Sequence, residues 1–115
     1  MLPTAGSETA GVQVDSWEPM TVQELEALIA RQLQDCSPQQ QAAFAVLRVP
    51  IHTVRLHRLG LIEPVLVVAH FPQGLLYFED VEHGFEIGVP GADGVLPAAG
   101  CNQLELVHVL NRLGA

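Results

Sequence analysis

Apolar residues in the first half of the chain recur every three to four positions, which is the period of a helix with one buried face. The first such segment runs over residues 21–35. Thr21 and Glu24 have the spacing of a capping box at its start. Cys36 continues the apolar face, so its thiol is predicted to point inward as a small buried side chain.

A second helical segment follows almost without a break. Ser37 and Pro38 are residues that favour the start of a helix, and Gln40 completes another capping box. Pro50 ends the helix, because the residue before a proline disfavours helical geometry. The pattern therefore predicts a helical hairpin.

From Ile51 onward apolar and polar residues alternate, which is the pattern of a half-buried strand. Gly60 is predicted to begin a loop. Val65–Phe71 is apolar on both faces and rich in β-branched residues, as in a central strand. Leu75–Phe78 and Phe85–Val89 are predicted as two further strands. The short turns between them favour antiparallel pairing.

The last quarter of the chain returns to a helical pattern. Residues 88–101 are rich in Gly and Pro and are predicted as a loop, in which Val95 is the candidate for a short strand. Asn102 and Glu105 have capping-box spacing and predict a helix that runs to about Arg112.

The element order αα, ββββ, α predicts a single α+β domain over residues 20–115, with two N-terminal helices, an antiparallel sheet of about four strands and a C-terminal helix. The helices are expected to cover one face of the sheet. Residues 1–19 are small, polar and aperiodic, and are predicted as a flexible tail that Trp17 could anchor to the domain.

The net charge of the chain limits the classes of molecule that it is expected to bind. The net charge is −8, from 13 acids and five bases, all of them Arg. This balance argues against a nucleic-acid partner, because phosphate contacts need a basic surface. No apolar run approaches the ~20 residues that span a bilayer, so we expect no membrane partner and a cytoplasmic location.

The five histidines and two cysteines suggest a metal or thiol site, but their spacing does not support one. No pair of histidines has the spacing of a zinc-binding helix, and there is no CxxC motif. We therefore predict no metal site, no cofactor and no catalytic set, and lean against an enzyme. The alternative is a small-ligand or metal-binding protein or enzyme with its site near Cys101, His83 and His70, where His70 is expected to share a strand face with Leu66 and Val68.

The densest charge lies in one acidic segment, which is the predicted partner-binding site: Glu79, Asp80, Glu82, His83 and Glu86. A basic protein is the partner that this segment fits. The competing interpretation is a solvated loop. Arg48, Arg55 and Arg58 cluster on the first strand, so these opposite charges either drive self-association or pair across the sheet.

Two segments resemble a group of known proteins: VVAHFPQGLLYFEDVEHGFEIG and GCNQLELVHVLNRL. The chain is similar in them to small, acidic bacterial domains of unknown function, some of which look like immunity proteins of toxin systems. The matching positions are Tyr77, Asp80, Val81, Glu82, Gly84, Phe85, Asn102, Gln103 and Leu104. The resemblance implies an immunity-like or regulatory role by protein binding. A homodimer through an exposed sheet face or edge strand is the third hypothesis.

Overall fold

The computed structural model describes residues 20–80, 83–97 and 104–115. These residues form three helices and five strands: α1 (Val22–Leu33), α2 (Pro38–Leu47), β1 (Arg48–Arg58), β2 (Leu61–Phe71), β3 (Gly74–Glu79), β4 (Gly84–Gly88), β5 (Leu96–Pro97) and α3 (Leu106–Arg112). The α+β class is confirmed. Among these residues, no helix is long and apolar enough to cross a membrane.

Both N-terminal helices begin where their capping residues predict. The Thr21 side chain accepts from the Glu24 backbone N–H, and the Glu24 side chain accepts from the Thr21 backbone N–H. Ser37 and Gln40 make the same reciprocal pair at the start of α2. Cys36, between the helices, is buried as predicted, and burial together with the nearby Asp35 raises the pKa of its thiol.

The sheet has the strand order β4-β3-β2-β1-β5. The first four strands pair antiparallel, whereas β5 pairs parallel with β1. The prediction of a four-stranded antiparallel sheet is therefore corrected to a five-stranded mixed one. The predicted loop from Gly60 was also wrong, because β2 begins at Leu61 and only a two-residue turn, Leu59 and Gly60, separates it from β1.

The sheet has a different core on each face. The larger core contains buried residues from all three helices, including Leu25, Phe44 and Leu106, packed on Phe78 of the sheet. We call this side of the sheet the helix side. The smaller core contains only strand residues: Leu56, Val65, Val67, Tyr77 and Leu96. All three helices thus cover the same face, as predicted.

The helix-free face is closed by the sheet itself. Leu96 of β5 pairs with Leu56 of β1 at one edge. The side chain of Leu96 also reaches the opposite edge strand, β4. The Leu96 Cδ2 lies 3.3 Å from the position that a Cβ on Gly88 would occupy. The sheet therefore curls around the smaller core, and Tyr77 lies inside that curl.

A bulge in β2 changes the face on which His70 lies. The register shifts between Val67 and Ala69, so His70 pairs with Leu75 and no longer follows the alternation of Leu66 and Val68. The prediction that His70 shares their face was wrong. His70 is exposed on the helix-free face, where its ring lies 5.9 Å from that of His52.

The C-terminal helix begins later than predicted. Glu105 is its N-cap residue and makes no side-chain capping hydrogen bond, so the predicted start at Asn102 was wrong. Asn102 itself lies outside the described residues. Leu106, Val109 and Leu110 form the buried face of the helix.

Gly74 at the β2–β3 turn tests the packing of the strands. Its φ is +148°, and a Cβ there would lie 2.6 Å from the Gly88 backbone oxygen. We expect Gly74→Ala to lower the free energy of unfolding by about 2 kcal/mol, since a backbone clash adds to an unfavourable conformation. Gly60→Ala is the matched control, because its φ is +80° and a Cβ there meets nothing within 4 Å. Equal losses in urea unfolding for the two variants would contradict the β3–β4 packing.

Candidate functional site

Glu79, the first residue of the predicted site, belongs to a buried ion pair. It is the last residue of β3, and its carboxylate contacts the guanidinium of Arg58 at the end of β1. The two side chains are only 7% and 14% exposed. The Arg58 Nε also lies 3.6 Å from the Glu63 Oε2 on β2. The charge of Glu79 is therefore compensated inside the chain, where it ties the ends of three strands together.

Glu86 is committed internally in the same way. Its Oε1 accepts from the Ile87 backbone N–H at 2.9 Å and from Arg112 Nη1 at 3.1 Å. Arg112 is the last residue of α3, so this pair joins the C-terminal helix to β4. Glu86 is 6% exposed. Pairing of opposite charges across the sheet, one of the two predicted outcomes, is thus present for Arg58. The competing interpretation of a solvated loop does not hold for Glu79 and Glu86, because both are buried.

The turn after β3 holds the outward members of the predicted site. Asp80 is half-buried, and its Oδ2 accepts from the Met20 backbone N–H at 2.9 Å. The His83 backbone N–H donates to the Asp80 carbonyl at 3.2 Å. His83 is exposed and has a positive φ of 54°. Glu82 lies outside the described residues. We use the name acidic turn for residues 80–83, of which the structure describes Asp80 and His83.

The alternative site does not assemble from the two histidines. His70 pairs with Leu75 at the start of β3, whereas His83 follows the far end of that strand and packs edge-on against Phe78, with ring centres 5.3 Å apart. Phe78 belongs to the helix-side core, so the two histidines lie near opposite faces and opposite ends of β3. Cys101 lies outside the described residues, and its reactivity stays a prediction. The described part of the chain has no cluster of three potential metal ligands.

Tyr77 is a buried polar group that the sequence did not single out. The residue is 0% exposed, and within the described residues its hydroxyl has no hydrogen-bond partner. Burial and, to a smaller extent, the charge of Glu86 raise the pKa of Tyr77 to about 12, while Arg58 acts in the opposite direction. At neutral pH this hydroxyl is protonated and offers no base.

Titration of Tyr77 tests the smaller core directly. The unfolded chain loses this proton around pH 10, and the folded chain holds it to about 12. The stability that this group contributes is therefore complete below pH 10 and is lost as pH rises towards 12. Since Tyr77 is the only tyrosine, tyrosinate absorbance reports it alone. A midpoint near 10 in the folded protein would contradict its burial, and Tyr77→Phe should remove the signal without lowering stability.

The tip of the β1–β2 hairpin exposes apolar side chains. Leu59, Leu61 and Ile62 are 93%, 67% and 54% exposed. Because β2 and β3 are antiparallel, this apolar tip and the acidic turn lie at the same end of the sheet. The signal in the sequence is the run LGLI, which combines turn chemistry with apolar residues.

Leu59 also has an unfavourable backbone conformation. Its φ is 50°, and Gly60 follows at 80°, so the two residues form a hairpin turn with two left-handed positions. Asn is the residue that such a turn favours at its first position, while a leucine there carries a steric penalty. The combination of exposure and penalty in one apolar side chain points to a role outside the fold.

Comparison with known proteins gives no match: no family model, no curated protein and no solved structure matches this chain. The resemblance to immunity-like bacterial domains accordingly stays a prediction. The features that bear on function are the apolar tip and the acidic turn, which lie at the same end of the sheet.

Proposed function

We propose that this chain is a non-catalytic module that binds another protein through the end of its sheet. The observation that carries the proposal is Leu59, which is 93% exposed in a backbone conformation that disfavours it. Its neighbours Leu61 and Ile62 extend the apolar surface. A cluster of exposed apolar residues on a projecting turn is typical of a protein contact. A cytoplasmic setting is part of the proposal.

The acidic turn gives this contact its charge. Asp80 lies at the same end of the sheet as the apolar tip, and Glu82 follows two residues later in a chain of net charge −8, so a basic partner is attracted over a distance and binds faster. An immunity-like or regulatory role for this chain, with a basic protein as its partner, fits this description. Glu79 and Glu86 support the surface from within, because the Glu79 carboxylate is held in a buried pair with Arg58 and the buried Glu86 carboxylate is held by Arg112, whose side chain is exposed.

Replacing Leu59 separates folding from binding. We expect Leu59→Asn to raise the free energy of unfolding by about 0.5–1 kcal/mol, because Asn tolerates the left-handed conformation. The same change removes the apolar side chain at the tip and should weaken partner binding. Urea unfolding measures the first effect. A variant that is less stable than the wild type would show that Leu59 supports the fold.

Capture from the native host identifies the partner. Purified wild type, Leu59→Asn and Val46→Asn are coupled to beads, and retained proteins are compared. Val46 is 79% exposed on α2 and is the matched control. The proposal expects a protein that the wild type and Val46→Asn retain and Leu59→Asn loses. Retention of the same proteins by all three chains would refute the tip as the contact.

Charge is tested on the acidic turn alone. Glu82→Lys should slow association with that partner, with the difference shrinking as salt is added. Glu86 is unsuitable for this test, since its reversal breaks the pair with Arg112. An unchanged association rate would remove the acidic turn from the contact. Light scattering of the purified chain decides whether the partner is a second copy.

A further inference from the structure

The helix side of the β1–β2 hairpin is left open. Within the part of the chain that the structure describes, no helix covers its outer part, and the side chains that project there are all exposed: Thr53, Arg55, His57, Ile62 and Pro64. They lie together because Arg55 pairs with Pro64 and His57 pairs with Ile62 across the hairpin. We call these five residues the open face.

The described chain begins beside this face. The Met20 backbone N–H donates to Asp80, and the Met20 side chain packs on the helix-side core. Leu66 pairs with Phe78, so continuing the antiparallel register places Pro64 level with Asp80. Arg55 is the next residue across, about 10 Å from Asp80 at the usual strand spacing. Trp17 precedes Met20 by three residues, which span up to ~10 Å when extended.

Charge matches the segment before Met20 to the open face. Residues 1–19 contain Glu8, Asp15 and Glu18 and no Arg, Lys or His. The open face has the opposite composition, with Arg55 and His57 and no acid among its five residues, and Asp80 at its edge accepts from the Met20 backbone N–H. The exposed positions of α1 include acids, which would repel the segment. The segment also contains three larger apolar side chains, those of Val12, Val14 and Trp17. These match the exposed apolar residues of the open face, Ile62 and Pro64.

We propose that residues 12–19 dock on the open face, with Trp17 against Ile62 and Pro64 and with Asp15 and Glu18 facing Arg55. The contact lies within one chain and does not rest on the proposed function. It covers Ile62 and Pro64 on the helix side of the hairpin, so it takes Ile62 out of the exposed surface of the apolar tip and leaves Leu59 uncovered.

Trp17 reports this contact, because it is the only tryptophan. In the full chain its emission should be blue-shifted and protected from iodide, compared with the same chain unfolded in urea. Arg55→Glu should shift the emission to the red and lower the docked-to-undocked ratio by roughly threefold, as expected for a partly exposed charge contact. Arg31→Glu makes the same charge change on an exposed residue of α1 and should leave the spectrum unchanged. Circular dichroism confirms that both variants are folded.

Three results would overturn the proposal. The first is emission of Trp17 in the native wild type that is as red and as quenchable as in urea, and this comparison needs no variant. The second is an equal response to Arg55→Glu and Arg31→Glu. The third is a blue shift that disappears on dilution, which would assign the open face to a second copy of the chain. Restoration of the blue shift when Asp15→Lys and Glu18→Lys are added to Arg55→Glu would support the pairing of charges.

Discussion

Arg58→Ala is expected to lower the free energy of unfolding by about 3 kcal/mol or more, because it leaves the carboxylate of Glu79 buried without its counter-charge. The Glu79 side chain is only 7% exposed, so solvent compensates its charge far less than the guanidinium does. The loss should appear in urea unfolding as a lower midpoint at unchanged slope. For a domain of this size it is a large share of total stability.

A double replacement separates the ion pair from simple loss of packing. Arg58→Met with Glu79→Leu fills the same space with apolar side chains and leaves no buried charge. We expect this double variant to be more stable than Arg58→Ala, since replacing both members of a buried pair is often nearly neutral. A double variant that is as unstable as the single one would mean that packing, and not charge, sets the cost.

Phe78→Ala is expected to cost about 3–5 kcal/mol, which is typical of an aromatic residue removed from a core. Phe78 is 1% exposed, and its ring lies edge-on to Phe85, with centres 5.1 Å apart. Leu61→Ala is the control, because Leu61 is 67% exposed and its truncation should change stability by no more than about 0.5 kcal/mol. Similar losses for both in urea unfolding would contradict the burial described for β3.

Local signals in the sequence predict the first two helices well. The reciprocal hydrogen bonds of Thr21 with Glu24 and of Ser37 with Gln40 depend only on residues three positions apart. The start of α3 was misplaced because Asn102 and Glu105 have the same spacing, yet the helix begins after Glu105. A capping pattern thus identifies a start only where the following residues also pack.

Strand limits were harder to predict, because they depend on distant neighbours. The loop predicted from Gly60 extends up to the strand predicted from Val65 and so includes Pro64, a residue that cannot donate a hydrogen bond in a sheet. Pro64 lies within β2 because β3 ends at Glu79, so the strand has a neighbour on only one side at that level. The face of His70 was misassigned because the bulge between Val67 and Ala69 depends on pairing with β3.

The acidic residues of the candidate site show most clearly that burial of a charged side chain cannot be predicted from local sequence. Acidic residues are usually exposed, so Glu79 and Glu86 were placed on a surface. Their partners, Arg58 and Arg112, lie 21 and 26 positions away along the chain, and only the folded sheet brings them together. The sequence shows where acidic residues are dense along the chain but does not separate the buried Glu79 and Glu86 from the half-buried Asp80.

The apolar tip was missed for a related reason. Leu59 and Leu61 flank a glycine in a segment that was predicted as a loop, and a loop prediction does not give the direction of its side chains. The two-residue turn places them at the end of the sheet at which Asp80 also lies. The proposed contact therefore combines residues from two turns that are about 20 positions apart in the chain.

Binding of a protein by the apolar tip is tested most directly by measuring the affinity of the captured partner for the chain. Calorimetry would compare the captured partner with wild type, Leu59→Asn and Val46→Asn. We predict that Leu59→Asn weakens the affinity at least about tenfold, as for a truncated contact residue worth more than 1 kcal/mol, and that Val46→Asn leaves it unchanged. Equal affinities of the partner for all three chains would contradict the account.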